Sequence, residues 1–399
     1  MRKLNKTAAC GILAAALAAG TLSGCSKAID GTKTVATVGD EKVTLGLASY
    51  MIRDQQAQTM SYYNMLMSQY GVSGSASNVW DQKGDDGKTV GESSKDGVMK
   101  TMNQLYVLKA HAADYDVTIT DDEEKAIKEA AAEFIKDNDE KILKKLAVSE
   151  DDIVTYLELV TIRSKMHDPM TTDVDTQVSA NEKDQTRVTI VKVSTEGTEK
   201  DDDGNTIDLT DEEKAQKKDL AQQVLDKVKA SDDVANADMD ALAKEVDDSL
   251  SATAPAFTTA GDTDDTLDEA VQDAALELKD GEVADKVIEG DDGYYVVRLD
   301  KMLDEDATEN KEKTVISERK SDLYDSTLED WVKEEKIKVK DKVWDQITVT
   351  DSVSFVYKSA DSSDDTESND AQDSTEDTSS QDNSEDTTTE DTAAEDSAE

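Results

Sequence analysis

Residues that usually build cross-links and metal sites are scarce in this sequence. The 399 residues include two cysteines, two histidines and two prolines. Cys10 lies in a segment that we expect to be removed, which leaves Cys25 alone, so neither a disulfide nor a cysteine-ligated zinc is expected. His111 and His167 are far apart in the sequence. We therefore expect no metal ion and no cofactor.

Basic residues are also in the minority. Lysine and arginine total 44 against 92 aspartates and glutamates, which gives a formal net charge of -48 at pH 7. A nucleic-acid interface needs a basic surface, so we expect no nucleic acid among the partners. The same imbalance argues against electrostatic adhesion to anionic lipid, and it favours solubility.

A long apolar run occurs only at the N-terminus. Arg2, Lys3 and Lys6 precede an Ala- and Leu-rich stretch over residues 7–22. This stretch is shorter than the roughly 20 apolar residues that a membrane-spanning helix needs. A basic start followed by a short apolar run is typical of a secretory signal. We predict a signal peptide over residues 1–24.

The signal peptide ends in the run Leu22-Ser23-Gly24-Cys25, which resembles the lipobox of bacterial lipoproteins. The resemblance implies that the Cys25 thiol is acylated and that Cys25 becomes the first residue of the mature chain, with residues 25–34 as a lipidated linker. The protein would then be extracytoplasmic and lipid-anchored to the cell membrane. The alternative is an ordinary secretory signal that happens to precede a cysteine.

Residues 35–170 are predicted to form a helical domain. The segment opens with a β-hairpin around Gly39-Asp40, and an amphipathic helix follows over residues 45–70. The remaining assignments are a Gly-, Ser- and Asp-rich loop over 71–97, a helix over 98–115, and two helices that begin at the capping residues Thr120 and Ser149.

The helix over residues 45–70 is rich in methionine and tyrosine. Apolar residues occupy two of its faces, because Met51 and Met65 lie off the stripe that carries Met60 and Met67. Methionine suits both plain core packing and surfaces that bind many apolar partners, since its side chain is flexible and polarizable. Each methionine is therefore either a core residue or part of an exposed apolar surface.

Residues 185–303 are predicted to form a compact α/β unit. A β-branched strand over 187–193 opens it, and a second strand over 293–299 closes it. Between them, Thr210 and Glu213 form a capping box that opens a helix. The strands are too few for the two α/β lobes of a solute-binding protein.

The chain returns to a helical pattern after this unit. Residues 310–350 are predicted to form a helix and a small strand that complete the helical domain of residues 35–170. Residues 359–399 are rich in Asp and Glu, contain no Lys or Arg and cannot bury a core, so we predict a disordered acidic tail. The predicted fold is α+β and mostly helical, with a discontinuous helical domain, an inserted α/β domain and a disordered acidic tail.

This layout resembles the PrsA/SurA-type foldases, which join a helical chaperone domain to a parvulin-like (PpiC-type) peptidyl-prolyl isomerase domain. Residues 35–70 resemble the opening hairpin and helix of the family, and 187–193 resemble the first parvulin strand. Residues 267–299 resemble the second half of the parvulin domain, and 310–347 resemble the closing helix and strand. The resemblance implies that residues 35–170 are a SurA-N-like chaperone domain.

The chain departs from the family at the paired histidines of the parvulin strands. The first histidine position falls on Ile190 or Thr189, depending on a one-residue choice of alignment, and the second falls on Tyr295. Residues 170–399 contain no histidine. Tyrosine can still donate and accept a hydrogen bond, whereas isoleucine cannot.

The proline-binding cup is also altered. Where the family has a methionine and a phenylalanine, this chain has Thr263 and Leu267, and Phe257 supplies an aromatic side chain from the preceding turn. A catalyst must lower a barrier of about 20 kcal/mol by favouring the twisted X–Pro amide inside such a cup. The candidate pocket residues are Ile190, Phe257, Thr263, Leu267 and Tyr295.

Three functions remain open at this point. The first is a membrane-anchored folding factor whose partners are unfolded or partly folded secreted polypeptides, bound by the helical domain. The second is an active parvulin-type peptidyl-prolyl cis-trans isomerase with a non-standard pocket, so whether the chain is an enzyme is undecided. The third is a solute-binding or adhesive surface lipoprotein.

Overall fold

The computed structural model describes most of the chain up to residue 358. The described ranges are 16–20, 29–70, 78–198, 200, 206–259, 267–335 and 337–358. The predicted lipidation site Cys25, the pocket candidate Thr263 and the predicted tail over 359–399 lie outside them.

The described residues form helices and short strands. The strands are β1 (Leu17–Gly20), β2 (Thr34–Val38), β3 (Glu41–Thr44), β4 (Gln185–Ser194), β5 (Ala252–Thr253), β6 (Ala256–Thr258), β7 (Ile288–Glu289), β8 (Gly293–Lys301), β9 (Ile337–Val339) and β10 (Ser354–Tyr357). The helices are α1 (Leu45–Gln69), α2 (Val90–His111), α3 (Asp121–Asp137), α4 (Glu140–Leu146), α5 (Glu150–Met170), α6 (Ala180–Lys183), α7 (Asp211–Lys229), α8 (Met239–Lys244), α9 (Glu269–Leu276), α10 (Glu305–Glu334) and α11 (Asp341–Trp344).

Capping boxes fix where several helices begin. The predicted boxes at Thr120 and Thr210 and the predicted cap at Ser149 are confirmed, since each side chain accepts a hydrogen bond from a backbone N–H in the first turn. The predicted helix over 98–115 begins too late, and its last turn, Ala112–Tyr115, is a 3-10 helix that follows α2. A further box formed by Thr89 and Glu92, whose carboxylate accepts from the Thr89 N–H at 2.8 Å, starts α2 at Val90.

The predicted hairpin is confirmed and gains a third strand from the other end of the chain. Gly39 turns it with a φ of 56°, which suits glycine because it carries no Cβ. Strand β2 pairs with β3 on one side and with β9 on the other, both antiparallel, and Val38 lies opposite Ile337. The first and last parts of the helical domain are therefore joined in one sheet.

Helix α10 carries the closing segment onto the N-terminal helices. Leu328 is buried in the same apolar core as α1, α2 and α5. Trp331 stacks on His111 of α2, with ring centroids 4.1 Å apart, and Tyr324 contacts His167 of α5. The predicted fold class is confirmed: the helical domain is discontinuous, and the α/β domain is inserted within it.

Strand β10 lies beyond the predicted closing segment of residues 310–350 and packs on α1. Phe355 is buried beneath the Arg53 guanidinium, whose carbon lies 5.2 Å from the ring centroid. Arg53 donates to the Thr348 carbonyl at 2.9 Å, and Gln56 donates to the Val353 carbonyl at 2.7 Å. Burial lowers the pKa of Arg53 to about 10, so this guanidinium stays charged at neutral pH.

Strand β1 lies inside the predicted signal peptide of residues 1–24. It pairs antiparallel with β10, and Leu17 is buried in the helical core. The Leu17 N–H donates to the side-chain oxygen of Asn138 at 2.9 Å. Within the described ranges, no helix is both long and apolar enough to cross a bilayer.

The inserted domain is a five-stranded sheet with apolar layers on both faces. The strand order is β5–β4–β8–β7, and β6 pairs with the first part of β4. Helices α7 and α8 cover one face, and α9 lies on the other. The two long strands were predicted from the sequence, whereas the short strands β5, β6 and β7 were not.

Candidate functional site

Four of the five pocket candidates lie together on one face of the inserted sheet. Ile190 on β4, Tyr295 on β8 and Phe257 on β6 are buried in one apolar cluster, and Leu267 packs against it. Strand pairing produces this grouping, because β4 lies between β8 and β6. The fifth candidate, Thr263, lies outside the described residues.

The two possible positions for the first family histidine lie on opposite faces of β4. Ile190 points to the face that holds Tyr295, in keeping with the alternation of side chains along a strand. The Thr189 hydroxyl donates to Asp300 at 2.6 Å and accepts from Arg298 on the other face. Of the two alignments, only the one that places the first family histidine at Ile190 puts both histidine positions on the same face of the sheet.

The Tyr295 hydroxyl already has a partner within the chain. It donates to the carboxylate of Asp292, and the Lys192 ammonium lies 2.5 Å from the same carboxylate. Lys192 stands directly across the sheet from Tyr295 and lies 5.9 Å from its ring centroid. Burial and the Asp292 charge raise the pKa of Tyr295, while the Lys192 and Tyr295 hydrogen bonds lower the pKa of Asp292.

The chemistry of this cluster is limited by its packing. Tyr295 exposes 5% of its surface and Ile190 is buried, so a proline ring cannot reach either side chain without displacing neighbours. The Tyr295 hydroxyl would have to leave Asp292 before it could donate to a substrate carbonyl. Sequence reasoning missed Lys192 and Asp292, because their link to Tyr295 depends on the strand register.

A second candidate site lies at the end of α1. The helix is buried in the core as far as Met60, and its last turns extend beyond the core. Tyr62, Met65 and Tyr70 are 58%, 61% and 74% exposed, and Tyr63 is exposed beside them. We call these four residues the α1 surface. Of the methionines on this helix, Met51 and Met60 are therefore core residues, whereas Met65 is exposed.

The sequence around the α1 surface is free of charge. No charged residue occurs between Asp54 and Asp81, in a protein whose charged residues make up 34%. Exposed apolar surface commonly marks a binding site for another molecule. An apolar chain segment that contacts residues 55–70 therefore desolvates no carboxylate belonging to that stretch.

A known family model matches most of the inserted domain. Residues 200–312 match the family model described as the PPIC-type PPIASE domain. The match begins after β4, so it leaves out Ile190, and it runs through the rest of the inserted domain into α10. It covers less than half of the chain. Among curated protein sequences, none matches this chain at a significant level.

Solved structures similar to this chain include foldases and chaperones. A foldase protein (PrsA) from Lactococcus lactis is 15% identical, with a TM-score of 0.31 and coverage of 78% of this chain and 96% of its own. A peptidylprolyl isomerase (PrsA) from Bacillus cereus is 19% identical, with a TM-score of 0.29 and coverage of 67% and 96%. A SurA-like chaperone from Campylobacter jejuni is 11% identical, with a TM-score of 0.26 and coverage of 77% and 98%. These values are too low to transfer an activity.

Within the described ranges, no group of three or more His, Cys, Asp or Glu side chains is arranged to hold a metal ion. The first candidate site is an apolar cluster whose polar groups already bond to one another. The second is the exposed apolar end of α1.

Proposed function

We propose that this protein is an extracytoplasmic folding factor, anchored to the membrane by lipid on Cys25, that binds unfolded or partly folded secreted polypeptides on the α1 surface. The observation that carries the proposal is the exposure of Tyr62, Tyr63, Met65 and Tyr70 on an uncharged helix end. Unfolded chains expose apolar side chains, and removing such surface from water is favourable by about 25 cal/mol per Å² before the entropic costs of association.

The composition of the α1 surface favours varied clients over one fixed partner. Methionine adapts its shape to different apolar groups, and tyrosine combines a large apolar ring with a polar end. The strong negative charge elsewhere keeps the protein soluble although it exposes an apolar surface. Lipid anchoring would hold this surface where secreted chains emerge.

The second candidate function is peptidyl-prolyl isomerisation in the inserted domain. It is favoured by the PPIC-type match over residues 200–312 and by the grouping of Ile190, Phe257 and Tyr295 on one face. The buried cluster and the engaged Tyr295 hydroxyl argue that any such activity is slow. We therefore place client binding first.

The test is aggregation suppression with a purified chain that begins at residue 26. We expect it to slow aggregation of an unfolded client at near-stoichiometric ratios, and equally for clients with and without proline. The combined change Tyr62→Ser, Met65→Ser and Tyr70→Ser should weaken client binding at least tenfold, which is about 1.4 kcal/mol. These side chains are exposed, so the fold should tolerate the change.

The matched control changes three exposed polar residues on the same helix end. Ser61→Ala, Asn64→Ala and Ser68→Ala alter α1 to the same extent without removing apolar surface. This variant should suppress aggregation like the unmodified chain. Equal loss in both variants, or no loss in either, would remove the α1 surface from the mechanism.

A further inference from the structure

Strand β1 covers an edge of the helical domain that the predicted processing would clear. β1 and β10 form a two-stranded sheet, and β1 is the only strand paired with β10 in the described part of the chain. All four residues of β1 lie within the predicted signal peptide. Removal of residues 1–24 would therefore leave β10 with an unpaired edge and would empty the position of Leu17.

The position of Leu17 has the features of a built binding site. The Leu17 side chain is 3% exposed, within the core of the helical domain. Its N–H is held by the buried side-chain oxygen of Asn138, and the Asn138 amide group is itself fixed by donating to the Phe134 carbonyl at 2.8 Å. Without β1, this buried acceptor would lose its donor, which is costly unless another backbone N–H replaces it.

Strand β10 does not depend on β1 for its position. Phe355 packs on α1, and Gln56 holds the Val353 carbonyl. The Tyr357 hydroxyl donates to Asp54 at 2.9 Å. Since an isolated two-stranded sheet is only marginally stable in water, these contacts with α1 are what keep the edge in place.

We propose that, in the processed protein, this vacated edge binds an extended, uncharged, apolar segment of an unfolded client by strand addition to β10. The inference rests on the proposed function and adds a second client site to the α1 surface. The structure supplies the chemistry of the occupant, because the segment seated there is Leu-Ala-Ala-Gly with one buried leucine. Strand addition recognises the main chain, so it suits clients of varied sequence.

The test uses a labelled peptide with the sequence of residues 14–22 and two forms of the protein. The chain that begins at residue 26 should bind the peptide. The full chain carrying Cys25→Ser, which stays unprocessed, should bind it at least tenfold more weakly, because its own segment competes at an effective concentration of about millimolar. Adding Leu17→Asp to the full chain should expel that segment and restore binding.

A modified peptide tests whether binding depends on main-chain hydrogen bonds to β10. Because the Leu17 N–H points to Asn138, the N–H of the next residue points to β10. N-methylation of the peptide at the residue matching Ala18 should weaken binding at least tenfold, and N-methylation at its last residue should not.

The possible results of these experiments test the β10 site separately from the proposed function. A shorter chain that suppresses aggregation but binds no peptide would overturn the β10 site and leave the α1 surface standing. Equal peptide binding by the shorter and full chains would overturn it as well. A chain that binds the peptide with the expected selectivity but does not suppress aggregation would refute the folding-factor proposal and retain the site.

Discussion

Truncation of Leu328 on α10 tests whether the helical domain needs its C-terminal segment. Leu328 is buried in the core that α1, α2 and α5 share, although it is more than 150 residues from α5 in the sequence. Replacing a buried leucine with alanine costs about 2–5 kcal/mol, because apolar contacts are lost and a cavity remains. With a urea m-value of about 2 kcal/mol/M, a loss of about 3 kcal/mol lowers the midpoint by about 1.5 M.

The three tryptophans make the assay specific for the helical domain. Trp80, Trp331 and Trp344 all belong to it, and residues 185–303 contain no tryptophan. Urea unfolding followed by tryptophan fluorescence therefore reports on the helical domain, while far-UV circular dichroism reports on both domains. Leu328→Ala should lower the fluorescence midpoint by the amount given above.

The matched control is a core truncation in the inserted domain. Val296 on β8 is fully buried against α7, within an apolar cluster separate from that of Leu328. Val296→Ala should lower the midpoint of the circular dichroism component from the inserted domain and move the fluorescence midpoint by less than about 0.25 M. A fluorescence midpoint that moves equally in both variants would refute independent folding of the two cores. No shift in Leu328→Ala would refute the joint core.

Three further changes have defined expectations. Cys25→Ala should yield soluble, unprocessed or released protein, and a variant that stays membrane-bound after a high-salt wash would contradict lipid anchoring. Tyr295→Phe should leave proline-limited refolding assays almost unchanged, whereas a tenfold loss of a strong activity, about 1.4 kcal/mol, would establish the hydroxyl as catalytic. Hydrogen bonds from Ser179 and from Arg319 lower the pKa of Glu182 from 4.5 to about 2. Its contribution to stability is therefore present above pH 4.5 and lost as the pH falls towards 2. Glu182→Gln should reduce the loss of stability between pH 5 and pH 3 in urea titrations, and an unchanged pH profile would contradict this.

The helices could be predicted wherever a capping residue preceded a periodic apolar pattern. Thr120, Ser149 and Thr210 mark such sites, and each is confirmed. The start of α2 was missed although Thr89 and Glu92 carry the same signature, because the surrounding Gly- and Ser-rich composition favoured a loop. Strand β10 was missed because it lies beyond the predicted closing segment and is held by contacts with α1, which the sequence does not reveal.

The sequence predicted some features of the candidate sites and missed others. The resemblance to parvulins placed Ile190, Phe257 and Tyr295 together, and the sheet brings them together. The Asp292–Lys192 pair depends on which residues face each other across β4 and β8, and composition contains no such information. The exposure of Met65 could not be predicted, since a helix with two apolar faces does not reveal where its tertiary partners end.

The pairing of β2 with β9 has a consequence for the order of folding. Val38 meets Ile337, so closing this contact in an unfolded chain joins residues about 300 positions apart, at an entropic cost that grows with loop length. A folded inserted domain shortens that loop, because Arg187 and Lys301 lie on neighbouring strands where the chain enters and leaves the domain. In a chain synthesised from its N-terminus, the inserted domain can fold while α1 still lacks β9 and β10. Helix α1 is then the first long helix to be made and among the last to become part of a finished core.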